Sequence, residues 1–164
     1  MSAKTYNALF LCTGNSARSI LAEALLNQAA GGRFKAWSAG SQPGGVVNPH
    51  ALDILREMNV PAAGARSKSW DEFAATGAPT MDFVFTVCDN AANEVCPHWP
   101  GQPVTAHWGL PDPAAVEGDV DKVRAAFRDT AVALKRRIDL MLSLPLATLD
   151  RMAIQSELRD IGGR

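Results

Sequence analysis

The chain has 164 residues, 47% of them hydrophobic and 20% charged, with a formal net charge of −1. That suits one domain with its own core and leaves too little chain for a second full domain. A charge so near zero excludes a polyanion partner held by overall field, so no nucleic acid is expected, and any anion must be held by a local site.

In chain order, Asn7–Cys12 is a short apolar run that stops at Thr13-Gly14-Asn15, the pattern of a buried parallel strand. Ser16–Ala30 has Ile20, Ala24, Leu25 and Ala29 at helical spacing, with Gly31-Gly32 as its stop. Phe34–Ala39 reads as a second strand, closed by Gly40. Asn48–Met58 reads as a helix, with Pro49 at its start and Ala51, Leu52, Leu55 and Met58 on one face. Ser67–Ala75 suggests a short helix. Asp82–Cys88 is a strong third strand and Val104–Trp108 a weaker fourth. A long helix is predicted over Val120–Leu142, with Asp119 as N-cap and Val123, Ala126, Phe127, Ala131, Leu134, Ile138 and Met141 facing inward. Pro145 ends it, and Thr148–Ile161 suggests one more amphipathic helix.

Strands alternating with helices imply parallel βαβ units with right-handed crossovers, hence a three-layer α/β fold with helices on both faces. The expected strand order is 2-1-3-4, with the ligand beyond the carboxyl ends of the strands. Cys12, Cys88 and the loop after His107 all fall on that rim. No run approaches the roughly 20 apolar residues of a membrane span. The segment Met1–Tyr6 enters the first strand without a signal-peptide pattern, so a cytoplasmic protein with no membrane partner is expected. Three cysteines are an odd number for a reducing compartment and argue against a static disulfide framework. Each taken alone reads first as a small buried apolar residue.

Cys12-Thr13-Gly14-Asn15-Ser16-Ala17-Arg18-Ser19 has the form C-x5-R-S between a strand and a helix. A short loop feeding a helix N-terminus turns successive backbone N–H groups inward and adds the positive helix end, which makes an oxyanion cradle from Thr13, Gly14, Asn15, Ser16, Ala17 and Arg18. Gly14 is expected to supply the positive φ of the turn. Arg18 offers a planar fork to two oxygens of a tetrahedral anion. The same field is expected to favour thiolate at Cys12, the nucleophile, with Ser19 hydrogen-bonded to its sulfur and the Asn15 amide locking the loop. The bland alternative is a buried thiol beside a surface cation.

These residues resemble the low-molecular-weight tyrosine phosphatase superfamily, and the likeness extends to His107-Trp108-Gly109-Leu110-Pro111-Asp112-Pro113. It implies a phosphotyrosine phosphatase I-like fold and makes Asp112 the general acid. Read bottom-up, a loop carboxyl on this rim can protonate a leaving oxygen if it comes within reach. As a plain turn signal, Asp-Pro has the competing reading of a structural residue.

A phosphatase needs one thiol, and this chain has two more. Predicted strands 1 and 3 are neighbours about 5 Å apart, which is compatible with the roughly 4.4–6.8 Å Cα separation of a disulfide between Cys12 and Cys88. The run Val87-Cys88-Asp89-Asn90-Ala91-Ala92-Asn93-Glu94-Val95-Cys96-Pro97 resembles the thioredoxin-coupled arsenate reductases of this superfamily. The likeness covers about residues 5 to 142. It implies that Cys12 attacks arsenate (phosphate or sulfate being mimics), that Cys88 then attacks Cys12 and releases arsenite, and that Cys96 attacks Cys88. A Cys88–Cys96 disulfide is left for thioredoxin or another thiol reductant, and no cofactor is implied. An unbroken helix between Cys88 and Cys96 would hold their Cα atoms about 12 Å apart. Their pairing therefore requires the segment to loop out, which Asp89, Asn90, Asn93 and Pro97 permit.

The best-known members carry one residue fewer between the last two cysteines. Some of the family also hold a potassium ion beside the loop. Asn15, Glu23 and Ser38 match that site in type, but the acidic residue expected near Ser69 is absent, and no metal is assigned. The segment of about residues 148–164 reads as a C-terminal helical extension of a single 1–164 domain, outside the likeness.

Two other readings compete: a tyrosine phosphatase, and a non-catalytic thiol protein that binds trivalent arsenic. Against the first, Asp112-Pro113 continues into Ala114-Ala115, where aromatics are usual. Against the second, a sensor needs no oxyanion loop. A zinc site from Cys88, Cys96, His98 and His107 matches no standard finger spacing. His98, Trp99, His107 and Trp108 either line the pocket or serve as packing and surface residues.

Overall fold

The computed structural model describes residues 4–88 and 102–163. Cys96, His98 and Trp99, and the looping expected between Cys88 and Cys96, lie outside the described residues. Four parallel strands, β1 (Tyr6–Leu11), β2 (Phe34–Ala39), β3 (Phe83–Thr86) and β4 (Val104–His107), form one sheet in the order β2-β1-β3-β4. This is the expected topology. The helices are α1 (Arg18–Ala29), α2 (Pro49–Glu57), α3 (Asp71–Ala74), α4 (Val120–Leu142) and α5 (Arg151–Gly162), with a 3-10 turn at Pro113–Ala115. Among the described residues, no helix is long and apolar enough to cross a membrane.

The two-residue period of β1 sorts its side chains between the two faces of the sheet. Ala8, Phe10 and Cys12 join the larger core with Leu21 and Leu25 of α1, Ile54 and Leu55 of α2, and Phe127, Leu134 and Ile138 of α4. Leu9 and Leu11 face a smaller cluster with Phe73 of α3, Met81 and Val84, over which Trp37 and Trp70 pack.

Helix ends follow the sequence where a cap is present. Asn48 accepts from the His50 N–H, and Asp119 from the Lys122 N–H, each at 2.9 Å. α5 starts at Arg151 and not at Thr148, because the Asp150 carboxylate accepts from the Ala153 N–H at 2.8 Å and sets the start there. The helix expected over Ser67–Ala75 shrinks to α3. Its first half is extended, because Lys68 and Trp70 exchange backbone hydrogen bonds with Gly40: Gly40 N–H donates to Lys68 O and Trp70 N–H to Gly40 O, each at 2.9 Å.

Trp108 is a core residue and not a pocket residue. It is fully buried, its ring 4.2 Å from that of Phe85, and its Nε1–H donates to Leu158 O of α5 at 2.9 Å. Arg137 is buried on the inward face of α4, among residues expected to be apolar, and its Nη1 donates to Trp108 O at 2.7 Å and Gly109 O at 3.3 Å. A guanidinium is tolerated there because it donates to two carbonyls just beyond β4.

Trp108→Ala is expected to cost about 3–5 kcal/mol, read from the urea midpoint at unchanged slope. At the carboxyl end of β2, a Cβ on Gly40 would lie 2.4 Å from Thr13 O and 2.5 Å from Cys12 O. Gly40→Ala must therefore displace the turn after β1, at a cost of about 1–3 kcal/mol, seen as a lower melting temperature.

Candidate active site

The turn after β1 is shaped by where its carbonyls point. Cys12 O accepts from Asn15 N–H at 3.3 Å, Thr13 O from Gln42 N–H at 3.0 Å, Gly14 O from Gly44 N–H at 3.2 Å, and Ser16 O from Asn48 N–H at 2.9 Å. The last three donors belong to the segment between β2 and α2. A trans peptide sends its carbonyl and the following N–H in opposite directions, so the Gly14 and Ala17 amides turn inward. The Gly14 amide reaches the Cys12 sulfur. α1 then starts with Ala17 at its N-cap, which offers no side-chain acceptor, so the first-turn amides stay directed at the cavity.

That cavity, of about 210 Å³, is lined by Cys12, Thr13, Gly14, Ser16, Ala17, Arg18, Cys88, Asp112 and Ala114. Side chains from Cys12 to Ala114 are thus gathered on one rim of the sheet. Arg18 Nη1 donates to Leu110 O at 2.9 Å, and its Nη2 lies 3.8 Å from Asp112 Oδ2. Its Nε is buried with no hydrogen-bond partner among the described residues. A donor left in that state fits an anion oxygen arriving at the loop. Asp112 Oδ1 accepts from Ala114 N–H at 3.0 Å, which fixes the carboxyl at the head of the 3-10 turn.

The loop differs from expectation at three residues. The left-handed residue is Asn15 (φ 45°), and Gly14 has no positive φ. Asn15 can hold that conformation because both ends of its buried amide are engaged: Nδ2 donates to Ser19 Oγ at 2.8 Å, and Oδ1 accepts from Lys68 N–H at 2.9 Å. Asn15 therefore stands behind the cradle and does not line it. Ser19, fully buried, meets Asn15, where a contact with the Cys12 sulfur was expected.

Cys12 follows β1 directly, and Cys88 lies one residue further beyond the end of β3. Its sulfur accepts from Thr13 N–H at 3.3 Å, and both Cys12 and Cys88 are buried. One of the amides expected for an anion is thus directed at the second sulfur. This proximity reverses the electrostatic expectation for Cys12. A hydrogen bond with Cys88, followed by burial, pushes the Cys12 thiol well above its ordinary range, against the pull of the Arg18 guanidinium and the Gly14 amide. Sequence reasoning weighed the cations and the helix end, but not the sulfur beside them.

His107 ends β4, exposed, with Nδ1 2.7 Å from Thr86 Oγ1, and it does not line the cavity. Among the described residues, no group of three or more His, Cys, Asp and Glu side chains is placed to hold a metal ion. The potassium-like set is filled by the protein itself. The Lys68 ammonium stands 3.3 Å from Ser38 Oγ and 3.7 Å from Glu23 Oε1, so this donor set does not fit a resident cation. Sequence reasoning passed over Lys68 and read Gly40 only as a strand stop. The signal available was register, since Leu11 opposite Ala39 sets Gly40 against Cys12.

Residues 7–153 match the low molecular weight phosphotyrosine protein phosphatase family. The arsenate reductase of Halalkalibacterium halodurans is 36% identical over 129 residues, covering 79% of this chain and 89% of that protein. A solved thioredoxin-dependent arsenate reductase of Corynebacterium glutamicum is 27% identical with a TM-score of 0.56. That match takes in 85% of this chain, which spans about two thirds (65%) of the relative's length. A structure titled an arsenate reductase in the phosphate binding state superposes with a TM-score of 0.69 at 24% identity, over 84% of this chain and 97% of that one, and shows the shared fold. The matched span carries the whole rim from Cys12 to Asp112, and the chain belongs to the low molecular weight phosphotyrosine protein phosphatase family.

Proposed function

We propose that the chain is an arsenate reductase and that its three cysteines pass one oxidation along in order. The observation that carries this reading is the position of the Cys88 sulfur, in the wall of the same cavity as Cys12 and held there by a loop amide. A phosphate monoesterase has no use for a second thiol in that position. Similarity to arsenate reductases at 36% identity supports the same chemistry.

In this mechanism arsenate sits against the inward amides and the Arg18 fork. The Cys12 proton passes to an arsenate oxygen and the sulfur attacks arsenic. An As–O bond breaks, and the departing oxygen, protonated by Asp112, leaves as water. The Cys88 thiolate then attacks the Cys12 sulfur. A sulfur–sulfur bond forms, the sulfur–arsenic bond breaks, and its electron pair remains on arsenic, which leaves as arsenite, reduced from As(V) to As(III). Cys96 attacks Cys88 and releases Cys12 as thiolate, and an external dithiol reduces the Cys88–Cys96 disulfide. Thioredoxin is the proposed dithiol, by similarity to the Corynebacterium glutamicum enzyme named as dependent on it.

The test is arsenate turnover with thioredoxin and its reductase by wild type and by the Cys12→Ser, Cys88→Ser and Cys96→Ser variants. Wild type is expected to turn over and each variant to stop. Mass mapping should find a Cys12–Cys88 disulfide accumulating in Cys96→Ser. Aryl-phosphate hydrolysis that survives Cys88→Ser, with no arsenate turnover by wild type, would favour the phosphatase instead. Asp112→Asn is expected to slow the first chemical step by about 10²–10⁴-fold, measured in single turnover. Removing the second sulfur takes away the largest influence holding the Cys12 proton. Cys88→Ala should therefore raise the thiolate fraction and move the pH profile of Cys12 alkylation to lower pH, followed by peptide mapping. An unmoved profile would mean that the two sulfurs do not share the proton.

A further inference from the structure

Lys68 is a buried amine that the proposed chemistry does not use. The residue is 7% exposed, and its ammonium donates to Ser38 Oγ at 3.3 Å and to Arg66 O at 3.0 Å, with Glu23 Oε1 at 3.7 Å. Ser38 is fully buried and the Glu23 side chain is 17% exposed. Burying an ammonium is unfavourable unless oxygens replace its water, and here three oxygens from three separate segments do so. Burial pulls the Lys68 ammonium down and pushes the Glu23 carboxyl up, and the charge of each opposes the shift of the other.

The same residue holds the anion loop through its backbone. Lys68 N–H donates to Asn15 Oδ1 and Lys68 O accepts from Gly40 N–H, each at 2.9 Å. Asn15 is the left-handed residue of the turn, and Gly40 is the residue against which the turn packs. The ammonium therefore anchors a strap of chain that clamps the loop from behind. It also lies at the edge of a separate cleft of about 400 Å³ that Glu23, Trp37, Arg66 and Lys68 help to line.

We propose that Lys68 is a positioning residue for the oxyanion loop, its ammonium serving as a tethered monovalent cation that joins Glu23, Ser38 and the Arg66 carbonyl and so fixes Asn15. The proposal rests on the reading of the loop as an oxyanion site. It explains why the set expected to match potassium does not fit one: the charge is already supplied covalently. Removing the side chain leaves its three oxygens facing a cleft that a small cation can enter from solvent.

The experiment compares wild type, Lys68→Ala and Lys68→Met in choline, sodium, potassium and ammonium chloride at equal ionic strength. The readouts are inorganic phosphate affinity, arsenate kinetics and melting temperature. Lys68→Ala in choline is expected to bind phosphate about 10- to 100-fold more weakly than wild type, the scale of losing a supporting partner behind a ligand site. KM for arsenate should rise with it. Potassium or ammonium should restore affinity and melting temperature in Lys68→Ala, leave wild type unmoved, and fail in Lys68→Met, where the chain fills the space without charge. Wild-type behaviour of Lys68→Ala in choline would overturn the proposal, as would a loss that no cation repairs. If wild type itself neither binds phosphate nor reduces arsenate, the oxyanion reading has failed. Cation-dependent melting of Lys68→Ala then still decides whether the ammonium is a replaceable cation.

Discussion

The outward pairing of the carbonyls of Thr13, Gly14 and Ser16 is the constraint on which the site depends. Three amides from the segment between β2 and α2 hold these oxygens away from the cavity. Because each peptide is rigid, holding the Thr13 and Ser16 oxygens out holds the Gly14 and Ala17 amides in. The inward direction of those two amides is thus set by the fold itself. The segment beyond β2 is as much a part of the site as the residues of the C-x5-R-S turn.

A second sulfur in such a cradle changes its chemistry. Alone, the helix end and Arg18 would draw the Cys12 thiol toward thiolate. With Cys88 beside it, the Cys12 thiol is pushed up instead, and the Thr13 amide donates to Cys88. A phosphatase with one thiol has no such coupling. In the proposed reductase mechanism it links the Cys12–arsenic bond to the sulfur that later breaks it.

Behind the cradle the structure is tighter than its composition suggests. Gly40 lets two carbonyls of the turn approach to a distance that no side chain permits, and Asn15 is locked at both ends of its amide. Lys68 brings a buried charge to the same place and is matched by Glu23. Buried ionic groups of this kind favour one arrangement over its alternatives more than they add stability. On the other side of the rim, Arg18 reaches the Leu110 carbonyl, while Trp108 and Arg137 fix the chain that carries Asp112.

The sequence by itself determined the layered α/β architecture, the strand order and the position of the C-x5-R-S turn. Those features rest on local signals: apolar runs of strand length, 3.6-residue periodicity, and the caps Asn48 and Asp119. The family likeness marked Asp112 and Cys88 in the same way, through short contiguous patterns. Tertiary structure alone decided the rest. That Asn15 and not Gly14 takes the left-handed turn depends on Lys68, 53 positions away in sequence. The failure of Ser67–Ala75 to form a full helix depends on hydrogen bonds to Gly40. The upward shift of the Cys12 thiol depends on a sulfur delivered by a different strand. In each case the deciding partner is distant in sequence, and only the folded chain brings it into contact.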